Sequence, residues 1–290
     1  MPENPSSKDN RASPGKQAKG SPDLSTIAGI VIAFSGIIGG LLLEKGSIQD
    51  VIQLTAAMIV LGGTCGAVLV TTPLPVVLRA CSSLKELFFE PGVSPGALIE
   101  RLLYFGTAAR KSGIVSLESE VEAIPDPFFR KAMGLAVDGA DLQELRQILQ
   151  VDIILAEQRR EDEAKVWESA GGYAPTIGII GAVMGLIQVM KNLEDIKVVG
   201  HGIAVAFVAT LYGIGSANIF FLPAAAKLRA RMRRDLLIKE MLVEGVAGIC
   251  VGLNPTMIRL KLSAFDDEPG KAPKAKAGEE RTMEAAVPGR

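Results

Sequence analysis

Hydrophobic and charged positions are segregated along the chain rather than interleaved. No Asp, Glu, Lys or Arg falls within Leu24 to Leu43, Val51 to Leu78, Ser169 to Met190 or Val198 to Ala226. A bilayer's hydrocarbon core takes about 20 apolar residues of helix, so each stretch is long enough to span it. The pattern therefore predicts an all-α membrane protein with four transmembrane helices. Between spans two and three the spacing is helical, with no strand-like alternation. Ile99, Leu102, Leu103, Gly106 and Ala109 mark one helix that Gly113 closes, and a second amphipathic helix starts near Ser116. Leu142, Leu145, Ile148, Leu149, Ile153 and Leu155 lie on a longer helix that continues through a charged stretch into span three. Beyond the fourth span, Leu236 to Gly252 is a further amphipathic helix.

These elements divide the chain into a tail at 1–22, a transmembrane hairpin at 23–78, a helical body at 79–168, a second hairpin at 169–226, a helical segment at 227–265 and a tail at 266–290. The tails are rich in Pro, Lys and small or polar residues and are expected to be disordered. The apolar stretch from Leu24 exceeds the roughly 7–15 residues of a signal-peptide core, so the first helix is expected to persist in the mature protein. Cytoplasmic flanks retain positive charge on insertion. Lys8, Arg11, Lys16 and Lys19 precede span one, and Lys227, Arg229, Arg231, Arg233 and Arg234 follow span four. Both termini and the body between spans two and three are thus expected in the cytoplasm.

The 290 residues are 48% apolar, with a mean hydropathy of +0.31 and a net charge of -1. That balance argues against a nucleic-acid partner, which requires a basic face. Cys65, Cys81 and Cys250 form neither a CxxC nor a Cys/His pairing, so no metal site or disulfide framework is indicated. No nucleophile, base and orienting group cluster at a recognisable spacing, which argues against an enzyme.

Small residues four apart allow helix backbones to approach closely, and they recur at Gly36/Gly40, Gly62/Gly66, Gly181/Gly185 and Ala209/Gly213/Ala217. Pro175, Gly178, Ala182 and Gly185 share a face of span three; Ala206, Thr210, Gly213 and Ala217 share one of span four. Such faces either line a partner-filled cavity or pack inside the bundle. Ion pathways normally carry an intramembrane carboxylate, and none of the four stretches contains one. An ion-transporting role would therefore require an acid from a second protein, with Thr210 placed to orient it. His201, alone at the outer start of span four, is read as a solvated end residue rather than a proton relay.

The run from Tyr173 through Pro175, Thr176, Gly178, Gly181 and Ala182 to Leu186 resembles the third-span signature of the MotA/PomA flagellar stator subunits of the MotA/TolQ/ExbB family. Ala204 to Gly213, with Asn218 and Pro223, resembles the fourth span. Glu244-Gly245 and Asn254-Pro255 resemble the C-terminal helix of the flagellar branch, and Arg110-Lys111 with Leu117-Glu118 its charged cytoplasmic segment. The hairpin ahead of the body fits that branch better than TolQ and ExbB, which have one span there.

The resemblance implies a bacterial inner-membrane subunit, five copies of which surround a dimer of a single-span MotB-type partner whose aspartate binds the ion. Lipid and a rotor protein of FliG type would be its other contacts. It implies an ion pathway lined by Thr210, Ala182 and Thr176, conformational coupling through Pro175 and Pro223, and rotor contact through Arg110, Lys111 and Glu118. Sodium-using relatives tend to place a threonine where Ala182 stands, which favours protons, and no cofactor is implied beyond the transported ion. Alternatives are an ExbB/TolQ-like energising subunit, a transporter without a rotor and a membrane scaffold.

Overall fold

The computed structural model describes residues 21–90 and 94–265. Apart from Ser21 and Pro22, the tails expected at 1–22 and 266–290 lie outside the described residues. The first span, α1, covers Leu24–Leu43, and its N-cap is Asp23, whose carboxylate accepts from the Thr26 amide at 3.1 Å and the Ser25 hydroxyl at 2.6 Å. A short helix α2 (Ile48–Val51) precedes the second span, which is built from α3 (Leu54–Ala57), a π turn at Met58–Gly62 and α4 (Gly63–Thr71). Thr72 is extended, and α5 (Leu74–Phe88) starts afresh. A residue before proline is pushed out of the helical region, so Pro73 ends this span before the charge-free stretch ends at Leu78.

The next elements are α6 (Pro95–Ser112), a 3-10 turn at Ile114–Leu117, α7 (Glu118–Glu122) and α8 (Pro127–Val137). The amphipathic stretch from Ser116 thus forms two short helices rather than one, because Pro125 and Pro127 interrupt it. Helix α9 runs unbroken from Leu142–Lys191, carrying its soluble half into span three as the sequence predicts. Span four is α10 (Ile196–Ser216), a π turn at Ala217–Phe221 and the start of α11 (Leu222–Cys250), followed by α12 (Pro255–Leu262). The basic cluster after Ala226 lies within α11 and does not separate two helices. From Ala224 to Glu244 the chain holds no Gly or Pro, and good helix formers such as Ala, Lys, Leu, Arg and Met dominate.

Among the described residues the only extended pairing is β1 (Ser21–Pro22) with β2 (Phe89–Glu90), antiparallel and two residues long. No alternation in sequence foreshadows it. It forms because the Asp23 amide donates to the Phe88 carbonyl at 2.9 Å and Arg231 donates to the Phe89 carbonyl at 2.6 Å.

The described residues form two compact units, one from 21–90 with 151–236 and the other from 94–150 with 237–265. In the first, Trp167 stacks on Phe221 with 6.1 Å between ring centroids, meets Phe220 edge-on, and donates its indole N–H to the Ala80 carbonyl at 3.1 Å. Arg229 on α11 bridges Glu161 and Glu168 of α9, at 2.7 and 2.5 Å, while Arg160 of α9 reaches Glu86 of α5 at 3.0 Å. These pairs fasten α5, α9 and α11 together where their apolar stretches give way to charge.

The second unit has a core that includes Leu102, Phe129, Met133, Leu145, Leu149, Met241, Leu242 and Ile258. Gly245 admits Leu102 so closely that a Cβ there would stand 2.5 Å from the Leu102 Cδ1. Glu244 pairs with Arg146 at 3.1 Å and with Lys261, and Asn254 caps α12 by accepting from the Thr256 amide at 3.1 Å. Glu244-Gly245 and Asn254-Pro255 are therefore structural punctuation in this unit.

Candidate functional site

Spans three and four meet along a seam of small residues. A Cβ added at Gly178 would stand 2.9 Å from the Ala209 carbonyl oxygen, at Gly185 2.7 Å from that of Gly202, and at Gly213 2.6 Å from that of Ala174. The backbones are in direct contact, a distance that only hydrogen at the α-carbon permits. This resolves the choice left open by spacing alone. Gly178, Gly185, Ala206 and Gly213 pack within the chain, so they do not face a partner.

Span two covers one flank of the seam. Ile59 sits against Gly181 and Ile177 against Gly63, while Ala56 and Val60 bury Val208 and Ala209. Ala182 and Thr210, one turn on from the seam residues Gly178 and Ala206, are half-buried and flank the seam. The Thr210 hydroxyl donates to the Ala206 carbonyl at 3.1 Å. Its oxygen keeps lone-pair capacity for an incoming donor. Thr176 is not brought to this group. It lies two residues from the seam positions Ala174 and Gly178, is exposed, and returns its hydroxyl to the Tyr173 carbonyl at 2.8 Å.

Pro175 sits inside the continuous α9. It has no N–H to give the Gly171 carbonyl four residues back, which leaves a weak point in the ladder beside the seam. Pro223 lies two residues past the π turn at Ala217–Phe221, where the ladder is already widened. π turns are recurrent features of functional helices.

Tyr212 performs a task that its place in the motif did not reveal. Its phenol donates to the Val51 carbonyl at 2.7 Å and accepts from the Gln53 amide at 3.3 Å. The backbone between α2 and α3 is non-helical, and broken backbone in an apolar layer persists only where its polar groups find partners. Tyr212 supplies them.

In the second unit, Arg110 and Lys111 occupy the exposed last turn of α6, and Glu118 the exposed first position of α7. Gly113 at φ 84° turns the chain between them, and buried Leu117 anchors the turn. Nearby, Glu120 accepts from the Tyr104 phenol and holds its pKa above the ordinary tyrosine value. Asp23 is the other residue that sequence spacing passed over. It is buried and ion-paired with Lys227 and, at 3.0 Å, with Arg231.

Residues 120–241 match the model of the MotA/TolQ/ExbB proton channel family, and residues 27–112 match that of the motility protein A N-terminal region. Motility protein A of Helicobacter pylori (strain ATCC 700392 / 26695) is 36% identical over 240 residues, covering 83% of this chain and 93% of its own length. The chain belongs to the MotA/TolQ/ExbB family. Within that family the chemotaxis protein PomA of Vibrio alginolyticus is 33% identical over 250 residues, 86% of this chain and 98% of its own. The solved structure of C. jejuni MotAB superposes with a TM-score of 0.81 at 32% identity, covering 87% of this chain and 99% of that one. The family match takes in the seam, Ala182, Thr210 and both prolines. Arg110 and Lys111 fall within the N-terminal match, and Glu118 lies between the two.

Proposed function

We infer that this chain is the ring-forming subunit of an ion-driven rotary stator, which works with a single-span MotB-type partner to convert ion flow into torque on the flagellar rotor. One observation carries the reading: the spans contain no carboxylate, yet a half-buried hydroxyl, Thr210, stands free to accept a hydrogen bond at the flank of a backbone-tight seam. A partner helix bringing one aspartate to that flank completes an ion path. Thr210 then orients the acid or its water, and Ala182 leaves the site one oxygen short of what a hard cation such as sodium prefers, so the ion is a proton. Thr176, on the opposite side of α9 from the seam, is kept in the pathway by the family resemblance alone.

Five copies surround a partner dimer in the bacterial inner membrane, with both termini in the cytoplasm. One charge falling through 100 mV releases about 2.3 kcal/mol, enough to drive a ring with low internal friction past its next position. Pro175 and Pro223 are where α9 and the fourth span yield as the partner's acid changes protonation. Arg110, Lys111 and Glu118 meet opposite charges on a FliG-type rotor protein; exposed pairs worth about 0–1 kcal/mol suit contacts that form and release. The reading as an ExbB/TolQ-like subunit of another machine is disfavoured by the match of residues 27–112 to the motility protein A N-terminal model.

Mass determination of this chain co-purified with the product of the neighbouring gene tests the assembly. The expected species holds five copies of this chain to two of the partner. A stable assembly of this chain alone, with no partner, would leave the pathway without an acid and overturn the reading.

A further inference from the structure

A cavity of about 420 Å³ opens between the cytoplasm-proximal start of α1 and the π turn of the fourth span. Its volume lies in the range of roughly 300–1,000 Å³ typical of built ligand clefts. The lining is divided in character. Gly29, Ile30 and Ala33 of α1 face Phe220 and Pro223 across a largely apolar trough whose one polar group is the Asn218 amide, and the other end carries Ser25, Thr26 and Lys227. That polar end coincides with the positions where the charge-free stretches of spans one and four stop. The cavity therefore runs from headgroup depth into acyl-chain depth.

Charge singles out the ligand. Lys227 lines the polar end, and among the described residues it and Arg231, which lies outside the lining, share one carboxylate, Asp23. The Lys227 side chain retains 26% exposure while it pairs with Asp23 and donates to Thr26. Gly29 has no atom within 4 Å of where its Cβ would stand, so the trough is open along α1, which buries none of its own residues. A largely apolar trough with a cationic, hydroxyl-bearing rim matches a molecule that is apolar at one end and anionic at the other. Basic pockets between transmembrane helices at the cytoplasmic side have this character.

We propose that the cavity binds an anionic phospholipid, its phosphate on Lys227 and the Thr26 hydroxyl and one acyl chain along Gly29 and Ala33. The lipid rests against Pro223 and the π turn, so its presence sets the shape of the fourth span where the ladder is weakest. The proposal uses the membrane placement of the spans but neither the partner nor the ion.

The test uses the assembled complex in nanodiscs of equal phosphatidylglycerol and phosphatidylcholine, extracted into detergent and weighed by native mass spectrometry. Phosphatidylglycerol is expected to remain bound in preference. Gly29→Leu fills the trough and should lower retained lipid at least tenfold with the protein stoichiometry unchanged; Ala33→Phe serves if that variant fails to accumulate. Lys227→Gln should retain lipid but lose the preference between headgroups. Equal phosphatidylglycerol retention in the trough-filling variant would overturn the proposal. So would cross-linking of Gly29→Cys to a cysteine on a neighbouring copy, in a chain with its three native cysteines replaced by serine, because protein would then occupy the trough. If no complex with the partner forms, the stator reading fails separately, and lipid retention by this chain alone still decides the question.

Discussion

Gly213 lies against Ala174 so closely that a Cβ on it would stand 2.6 Å from the Ala174 carbonyl oxygen. Neither backbone can yield without separating spans three and four. Gly213→Ala should cost about 1–3 kcal/mol, the usual penalty of overpacking. Gly215→Ala, two residues on with nothing within 4 Å of its Cβ position, should cost nothing. Thermal unfolding midpoints of the two variants in detergent check this; equal midpoints would mean that the seam is looser than described.

Tyr212 bridges the break in backbone ahead of the second span. Tyr212→Phe keeps the ring against the cluster of Ala56, Val60, Val208 and Ala209 but strands the Val51 carbonyl and the Gln53 amide, at a cost of about 1–3 kcal/mol. Hydrogen exchange at the Gln53 amide should accelerate markedly in the variant, whereas unchanged exchange would show that another group satisfies the break.

Arg110 and Glu118 are exposed and stand on either side of the turn at Gly113. Arg110→Glu and Glu118→Lys should each abolish torque while leaving membrane accumulation and partner binding intact. Tethered-cell rotation alongside co-purification measures both quantities. Normal rotation in both variants removes the rotor-contact assignment.

Asp23 titrates well below the ordinary aspartate range, first because of Lys227 and then because of Ser25. A carboxylate whose folded pKa is depressed contributes stability that is fully present above the unfolded value, about 3.9, and is lost as pH falls through the folded value. The gap in unfolding midpoint between the unsubstituted chain and Asp23→Asn should thus stay constant from about pH 8 to about pH 5, and narrow only below about pH 4. A gap that closes near neutral pH would show that Asp23 is not held by these cations.

The spans were legible because lipid excludes charge so strongly that four charge-free stretches suffice to find them. Their packing was less so. Glycine spacing identifies a face that needs close approach, but it does not say whether the neighbour is another span of the same chain or a partner, and Gly178 and Gly213 proved to face each other. Absence of charge also overran the second span, since Pro73 ends a helix without changing hydropathy. Asp23 stands as a helix cap just ahead of the apolar run at Leu24, a local signal available in the sequence. Its pairing with Lys227, some two hundred residues away, left no local trace. Ala182 and Thr210 were legible from small-residue spacing before any resemblance and lie on the flanks of one seam; Thr176, drawn from the resemblance alone, lies elsewhere on α9.

The most direct measurement is proton flux into liposomes containing the purified complex, followed with an internal pH dye under an imposed potential. Flux should require the partner's intramembrane aspartate, fall sharply in Thr210→Val with the complex intact, and stay the same when external sodium is replaced by potassium. Flux through this chain without the partner, or flux that follows sodium, would contradict a pathway whose only acid belongs to a second protein.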